Sequence, residues 1–443
     1  MKRRFNQAFN WITSSLRWLN PGIGVKRWLV VILFGTTLVG VGLAVLVLDV
    51  YRNAPETWWL PILSYASLRF IARPLRVIVF GSLGVGIILF GIWGLNRSML
   101  APYTRPGRAV YDTIALHRRR ERGPTIVVLG GGHGLSILLR GLREYSYNLT
   151  AVVTVADDGG SSGRIRSSIG ILPPGDIRNC LAALSSDEAL LSQLFQYRFE
   201  ESDDGLGGHS FGNLFITALA EITGSFEEAV AESGRVLAVH GRVLPATLRD
   251  VRLMADVALP HLSGPLRIEG ESKIPQVSGR VRRLWLDPSE PPAYPEVIRA
   301  ILAADVVIVG PGSLYTSILP NLLVPDITKA IQASRGMKML VCNIANQAGE
   351  TDGYTCRDYL EAIELHVGEN LFDLILCNST RVDPSDINGA AIEWVDVDDA
   401  LIEEYPIYQT DLVDDLNPYR HDSKKLARAV YDLWQERTGP LVE

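Results

Sequence analysis

The chain has 443 residues, 47% of them apolar and 21% charged, and a formal net charge of −6. That composition excludes a disordered chain, a collagen and a small disulfide scaffold, and the length leaves room for two or three domains. The charge is unevenly placed: residues 1–123 carry 17 Lys and Arg against 4 Asp and Glu, and residues 124–443 carry 26 against 45, so a basic front precedes an acidic body.

The first elements along the chain are two uncharged apolar runs, 28–48 and 77–95. Each is close to the roughly 20 residues that a helix needs to cross a bilayer core. Lys26, Arg27, Arg52, Arg73, Arg76 and Arg97 flank them, and Trp28, Trp58, Trp59 and Trp93 lie near their ends, where amphipathic rings favour the interface. The runs predict two transmembrane helices. A cleaved signal peptide fits poorly, because the first run is long and a second follows. Basic residues before 28 and across 97–122 put both ends inside. The expectation is a two-pass plasma-membrane protein with its main domain in the cytoplasm, or a soluble cytoplasmic protein if the hairpin does not insert. The Arg-rich stretch 97–122 suits anionic headgroups. It lacks interleaved aromatics, so no nucleic acid is expected as a partner.

From 124 on the pattern alternates. Strand-like runs at 125–129, 149–155, 306–309, 339–341 and 372–377 are short, apolar and mostly closed by glycine- or asparagine-rich loops. Helical stretches at 135–142, 295–304, 326–334 and 357–367 fall among them, and a surface helix is expected at 424–437. Strands alternating with helices predict an α/β fold, a mostly parallel sheet sandwiched by helices. Residues 165–290 are less regular and read as an inserted cap. The body, 124–443, is taken as one domain behind the 1–123 anchor. Cys180, Cys342, Cys356 and Cys377 show no CxxC spacing, which argues against a zinc site and suits a reducing compartment.

Ligands of open parallel sheets bind beyond the carboxyl ends of the strands. The loops there carry the candidate chemistry. Gly130, Gly131, Gly132, His133 and Gly134 stand between the first strand and a helix, where free backbone N–H groups favour phosphate; the run is neither GxGxxG nor a Walker A loop. After the second strand come Asp157 and Asp158, suited to a ribose or to Mg²⁺, then Ser161, Ser162 and Arg164. Asp176 is a helix cap or a ligand, Arg178 and Asn179 follow it, and His209 and Asn213 open another helix. Gly310, Gly312, Ser313, Leu314, Tyr315, Thr316 and Asn321 follow the 306–309 strand, and Asn346 and Gln347 follow the next, offering hydroxyls and amides to a phosphate, sugar or base edge. No GxSxG and no Cys–His pair is visible, so no catalytic residue is assigned.

These loops resemble the gluconeogenesis-factor (YvcK) family, within the superfamily of CofD-like 2-phospho-L-lactate transferases. The resemblance rests on GGGHGL at 130–135, VTVADDGGSSGR at 153–164, PPGDIRN at 173–179, GHSFGNL at 208–214, GPGSLYTSILPNLLV at 310–324 and NQAGET at 346–351. The family usually has Thr where His133 stands, and its commonest form lacks the hairpin. The resemblance implies a Rossmann-like fold that binds a nucleotide-sugar such as a UDP-sugar, with a role in carbon metabolism and cell-wall or cell-shape maintenance. It implies diphosphate at Gly130–Gly134, ribose or metal at Asp157 and Asp158, and the distal ligand at Gly312–Thr316 and Asn321. The alternative it implies is a transferase using a GDP-linked donor; only that reading calls for a cofactor, Mg²⁺ at Asp157 and Asp158. The expected partners are the nucleotide-sugar, the lipid membrane and a second copy in a homodimer.

Overall fold

The computed structural model describes residues 120–438 apart from 186–188, 201–205, 260, 278 and 383–391, together with scattered positions from 33 to 90. The chain divides into two compact units, 1–118 and 119–443, each described by itself. In the first, residues 81–86 and 88–90 are helical, and Leu83 and Phe90 are 58% and 71% exposed. Among the described residues no helix is long and apolar enough to cross a membrane. The apolar runs 28–48 and 77–95 lie largely outside the described residues.

The second unit is built on strands β1 (Ile126–Gly130), β2 (Leu149–Val153), β3 (Arg242–Pro245), β7 (Val306–Val309), β8 (Met337–Val341), β9 (Leu374–Asn378) and β10 (Ile407–Thr410). They form one sheet in the order β10-β9-β8-β7-β1-β2-β3, with every pairing parallel. The central strands are unbroken apolar runs because both of their faces are covered. Val127 and Leu129 enter one core with Val307 and Val309; Ile126 and Val128 enter the other with Val306 and Ile308.

Helices α1 (Gly132–Leu142), α3 (Gly175–Leu184), α5 (Phe211–Thr223), α6 (Phe226–Val236) and α12 (Ser423–Thr438) supply side chains to the second core. Helices α7 (Pro295–Leu302), α9 (Pro325–Ala333) and α10 (Cys356–Val367) supply the first. Helices α2 (Gly160–Ile169), α4 (Ala189–Gln196), α8 (Leu319–Leu322) and α11 (Asp399–Glu404) are the remaining α-helices among the described residues of this unit. Strands β4 (Arg252–Ala258), β5 (Leu266–Glu269) and β6 (Arg280–Asp287) form a separate antiparallel sheet in the order β5-β4-β6.

Residues 165–290, expected as a cap, divide between the two cores. Ile177, Leu181, Ile216 and Val230 share the second core with the main sheet and β3 is its edge strand, while the separate 252–287 sheet shares the first core through Leu253, Ala255 and Leu284.

The winding order of the strands reverses between β1 and β7. Chain order runs outward through β2 on one side and through β7, β8 and β9 on the other, which makes this pair the switch point of a doubly wound fold. Helix α12 closes over α1 at a glycine: a Cβ on Gly141 would collide with the Ser423 carbonyl and sit 2.6 Å from the Ala427 Cβ. Gly141→Ala is expected to lower unfolding free energy by about 1–3 kcal/mol, read as a drop in the urea midpoint at constant slope.

Candidate functional site

A crevice of about 520 Å³ opens at the switch point. Its first wall is the β1–α1 turn. Gly131 stands at the N-cap with no side-chain cap, so the first-turn N–H groups of α1 are not satisfied by one. Gly132 needs its glycine, with φ of +62°. Gly134 needs its own for space: a Cβ there would lie 2.6 Å from the Pro311 carbonyl oxygen on the opposite wall.

That opposite wall is the loop after β7. Asn343, just beyond β8, clamps it: the Gly312 N–H donates to Asn343 Oδ1 at 3.1 Å, and Asn343 Nδ2 donates to the Gly312 carbonyl at 2.8 Å. Ser313 Oγ donates to Gln347 Oε1 at 2.5 Å. Thr316 Oγ1 donates to buried Glu350 at 2.8 Å. Asn321 is wholly buried, and its Nδ2 donates to the carbonyls of Gly130 (2.9 Å) and Ser317 (2.8 Å). It ties the end of β1 to the helical segment that follows β7. Leu314 and Tyr315 are likewise core residues, with the Tyr315 hydroxyl 2.8 Å from that of Tyr354.

Of the residues singled out from the sequence, Gly131, Gly132, His133, Gly134, Asp157, Asp176, Gly312, Ser313, Thr316, Asn346 and Gln347 line the crevice. Gly130 and Gly310 shape the strand ends behind it. Asp158 does not join Asp157; its Oδ1 accepts the Ser272 N–H at 2.9 Å. The expected Asp157–Asp158 metal pair is thus divided, because consecutive residues in an extended turn point apart.

A second cluster forms where α2 and α5 begin. Ser161 Oγ lies 3.0 Å from His209 Nδ1 and accepts from Asn213 Nδ2 at 3.1 Å, with Ser162 Oγ 3.5 Å from the same nitrogen. Arg164 donates to the Gly207 carbonyl at 2.9 Å, and Arg178 to Asn179 Oδ1 at 2.8 Å. None of these seven side chains lines the crevice.

Glu271, Ser272, Asn343 and Arg420 line it and were not singled out. Asn343 opens a loop that the sequence did mark. Glu271 comes from the turn after β5 and Arg420 from the loop before α12, and no local pattern distinguishes either.

The charges in the crevice are opposed. Burial, then Asp157, raises the Asp176 carboxyl to about 6, against the Gly132 N–H and Arg178. Asp176 is therefore the second residue of α3, accepting from the β1 loop, and not its cap. Burial, then Asp157, also pushes the Glu271 carboxyl well above its ordinary range. Burial, then Arg420 and Arg178, lowers the His133 imidazole, which favours its neutral form at pH 7. Asp157, Asp176 and Glu271 are oxygen donors whose repulsion a divalent cation would relieve. Among the described residues, however, no three carboxylates are gathered within 4.8 Å of one another.

A doubly wound parallel sheet with glycine loops meeting at its switch point defines a Rossmann-like binding protein. The family described as 2-phospho-L-lactate transferase CofD matches residues 126–413, and the chain belongs to the gluconeogenesis-factor branch of CofD-domain proteins. The putative gluconeogenesis factor of Nostoc sp. is 51% identical over 379 residues, covering 84% of this chain and 79% of that protein. The gluconeogenesis factor of Bacillus subtilis is 44% identical over 326 residues, covering 71% of this chain and 99% of that one. A crystal structure of a UPF0052-family protein from Bacillus halodurans superposes with a TM-score of 0.65 at 43% identity, over 70% of this chain and 99% of its own. The Nostoc match covers more of the chain than residues 120–443 amount to, so that likeness reaches into the N-terminal unit.

A carboxyl whose folded pKa is raised above the unfolded value, roughly 4.3 for Glu, contributes stability that is complete below that value and is lost as pH rises through the folded pKa. Glu271→Gln is expected to leave the melting temperature near pH 4 almost unchanged and to raise it at pH 9. Identical pH slopes for wild type and variant in thermal unfolding would contradict the buried-carboxyl assignment.

Proposed function

We propose that this protein is a nucleotide-sugar-binding regulatory factor, with a UDP-sugar as its ligand, acting in gluconeogenic carbon metabolism and in cell-wall and cell-shape maintenance. The observation that carries the reading is the pairing of the glycine-rich α1 N-terminus with the polar β7 and β8 loops across one crevice. In this reading the His133 and Gly134 N–H groups and Arg420 take the diphosphate. Asp157 and Glu271 accept from ribose hydroxyls, and Ser313 and Thr316 meet the sugar. A volume of about 520 Å³ lies within the range of small-molecule sites.

The second reading, a phospholactate transferase, draws on the CofD match and the crowded carboxylates. Asp157, Asp176 and Glu271 would hold Mg²⁺, which when bound supplies charge neutralisation to a diphosphate leaving group. This chain's own part would be to seat the donor on the α1 N–H groups and orient it with Asn343 and Gln347.

The finer expectation for the N-terminal unit is also a proposal: runs 28–48 and 77–95 tether the binding domain to the inner face of the plasma membrane. Their lack of charge over 21 and 19 residues supports it.

Titration of the purified protein with UDP-N-acetylglucosamine by calorimetry is expected to give saturable heat, and Arg420→Ala to weaken binding by at least tenfold, as loss of a charged hydrogen bond implies. No heat at millimolar ligand, together with turnover of a GDP-linked phospholactate donor in Mg²⁺, would replace the binding reading with the transferase. For the tether, the full chain is expected to stay in the membrane pellet through an alkaline carbonate wash; its release would remove the spans.

A further inference from the structure

The cysteines, scattered in sequence, do not stay scattered. Cys342 directly follows β8, Cys377 lies on the neighbouring strand β9, and Cys356 is the first residue of α10. Parallel pairing of β8 with β9 and the return of α10 to that end of the sheet bring the three together. Their Sγ atoms all lie within 4.8 Å of one another, and those of Cys356 and Cys377 are 3.2 Å apart. All three are sealed, at 2%, 0% and 2% exposure. Among the described residues, no other three His, Cys, Asp or Glu side chains bring ligand atoms this close.

Packing alone would be satisfied by any small apolar residues here. Three sulfurs facing one point offer something more specific. Ligands about 2.3 Å from a tetrahedral ion lie roughly 3.8 Å from each other, so the spacing needs only small side-chain adjustments. Soft sulfur donors with no oxygen among them select thiophilic metals and reject Mg²⁺ and Ca²⁺. Cys356 also stands at a helix N-terminus fixed by a Thr355–Asp358 capping box, a position that favours a thiolate.

We propose that Cys342, Cys356 and Cys377 form a binding site for one thiophilic d¹⁰ cation, Zn²⁺ or Cu⁺. Each coordinating thiol gives up its proton to solvent as the ion binds. Because the sulfurs are sealed, the ion is loaded during folding and leaves slowly. Asn343, the next residue after Cys342, exchanges two hydrogen bonds with Gly312, so a loaded site also stiffens one wall of the crevice.

The test is to purify the full chain from cells grown with added Zn²⁺ or with added copper. Metal per chain is measured by mass spectrometry, and the metal's ligand shell by X-ray absorption. The expected result is about one ion per chain with a sulfur shell near 2.3 Å. The growth condition that gives it identifies the ion. Cys180→Ser, altered elsewhere in the core, is expected to keep it, and Cys356→Ser and Cys377→Ser to lose it. Should the serine variants fail to fold, protection of the three thiols from alkylation in metal-loaded wild type, lost on chelation, reads the same site. Metal content no higher in wild type than in Cys356→Ser, a shell of oxygen or nitrogen, or a Cys356–Cys377 disulfide in the isolated protein would each overturn the proposal.

Discussion

The seam between β1 and β7 is the constraint on which the rest depends. Two strand ends separated by some 180 residues of chain must meet closely enough for one side chain, Asn321, to donate to the carbonyls of Gly130 and Ser317 at once. Both acceptors are buried, Gly130 at the end of β1 and Ser317 in the helical turn after β7, and a buried carbonyl without a donor costs about 1–3 kcal/mol. Gly134 completes the closure, since any side chain there would meet the Pro311 carbonyl. The crevice is the space left above this seam, and its two glycine-rich walls are held in register by the seam and not by their own sequences.

The seam also explains how an acidic body can present a site for an anion. The unit from 124 to 443 has a large excess of acid, so its general field opposes a phosphate. Short-range terms can act against that field where backbone N–H groups converge, because a helix start presents several donors without needing a cation. The acidic side chains in the crevice sit close to burial and to one another, and the structure answers by holding protons on Glu271 and, at mildly acid pH, on Asp176. A partly protonated carboxyl cluster beside a donor-rich turn can serve the hydroxyl-bearing and the anionic parts of one ligand together.

Much of this was legible along the chain. The apolar runs at 125–129 and 306–309 read as strands because burial on both faces removes any polar alternation. The glycine turn at 130–134 read as a site because such turns have few purely structural uses before a helix. Where reading failed, the cause was distance in sequence. Asn321 and Tyr315 carry polar groups that read as ligand contacts; in the fold the Asn321 Nδ2 donates to backbone carbonyls and the Tyr315 hydroxyl meets that of Tyr354. Glu271 reaches the crevice only because the small β4–β6 sheet folds back over it, and the sequence around it is an ordinary turn.

The amino-acid sequence by itself determined the alternation of strands and helices, the charge division at about residue 123 and the loops that bear the chemistry, since each of these depends on neighbours within about ten residues. Only the tertiary structure decided which loops share a crevice, that Asp157 parts from Asp158 and pairs its field with Asp176 and Glu271, and that three distant cysteines meet. The reason is that strand order in a parallel sheet is set by packing across crossover connections, and no local pattern records which strand will lie beside which.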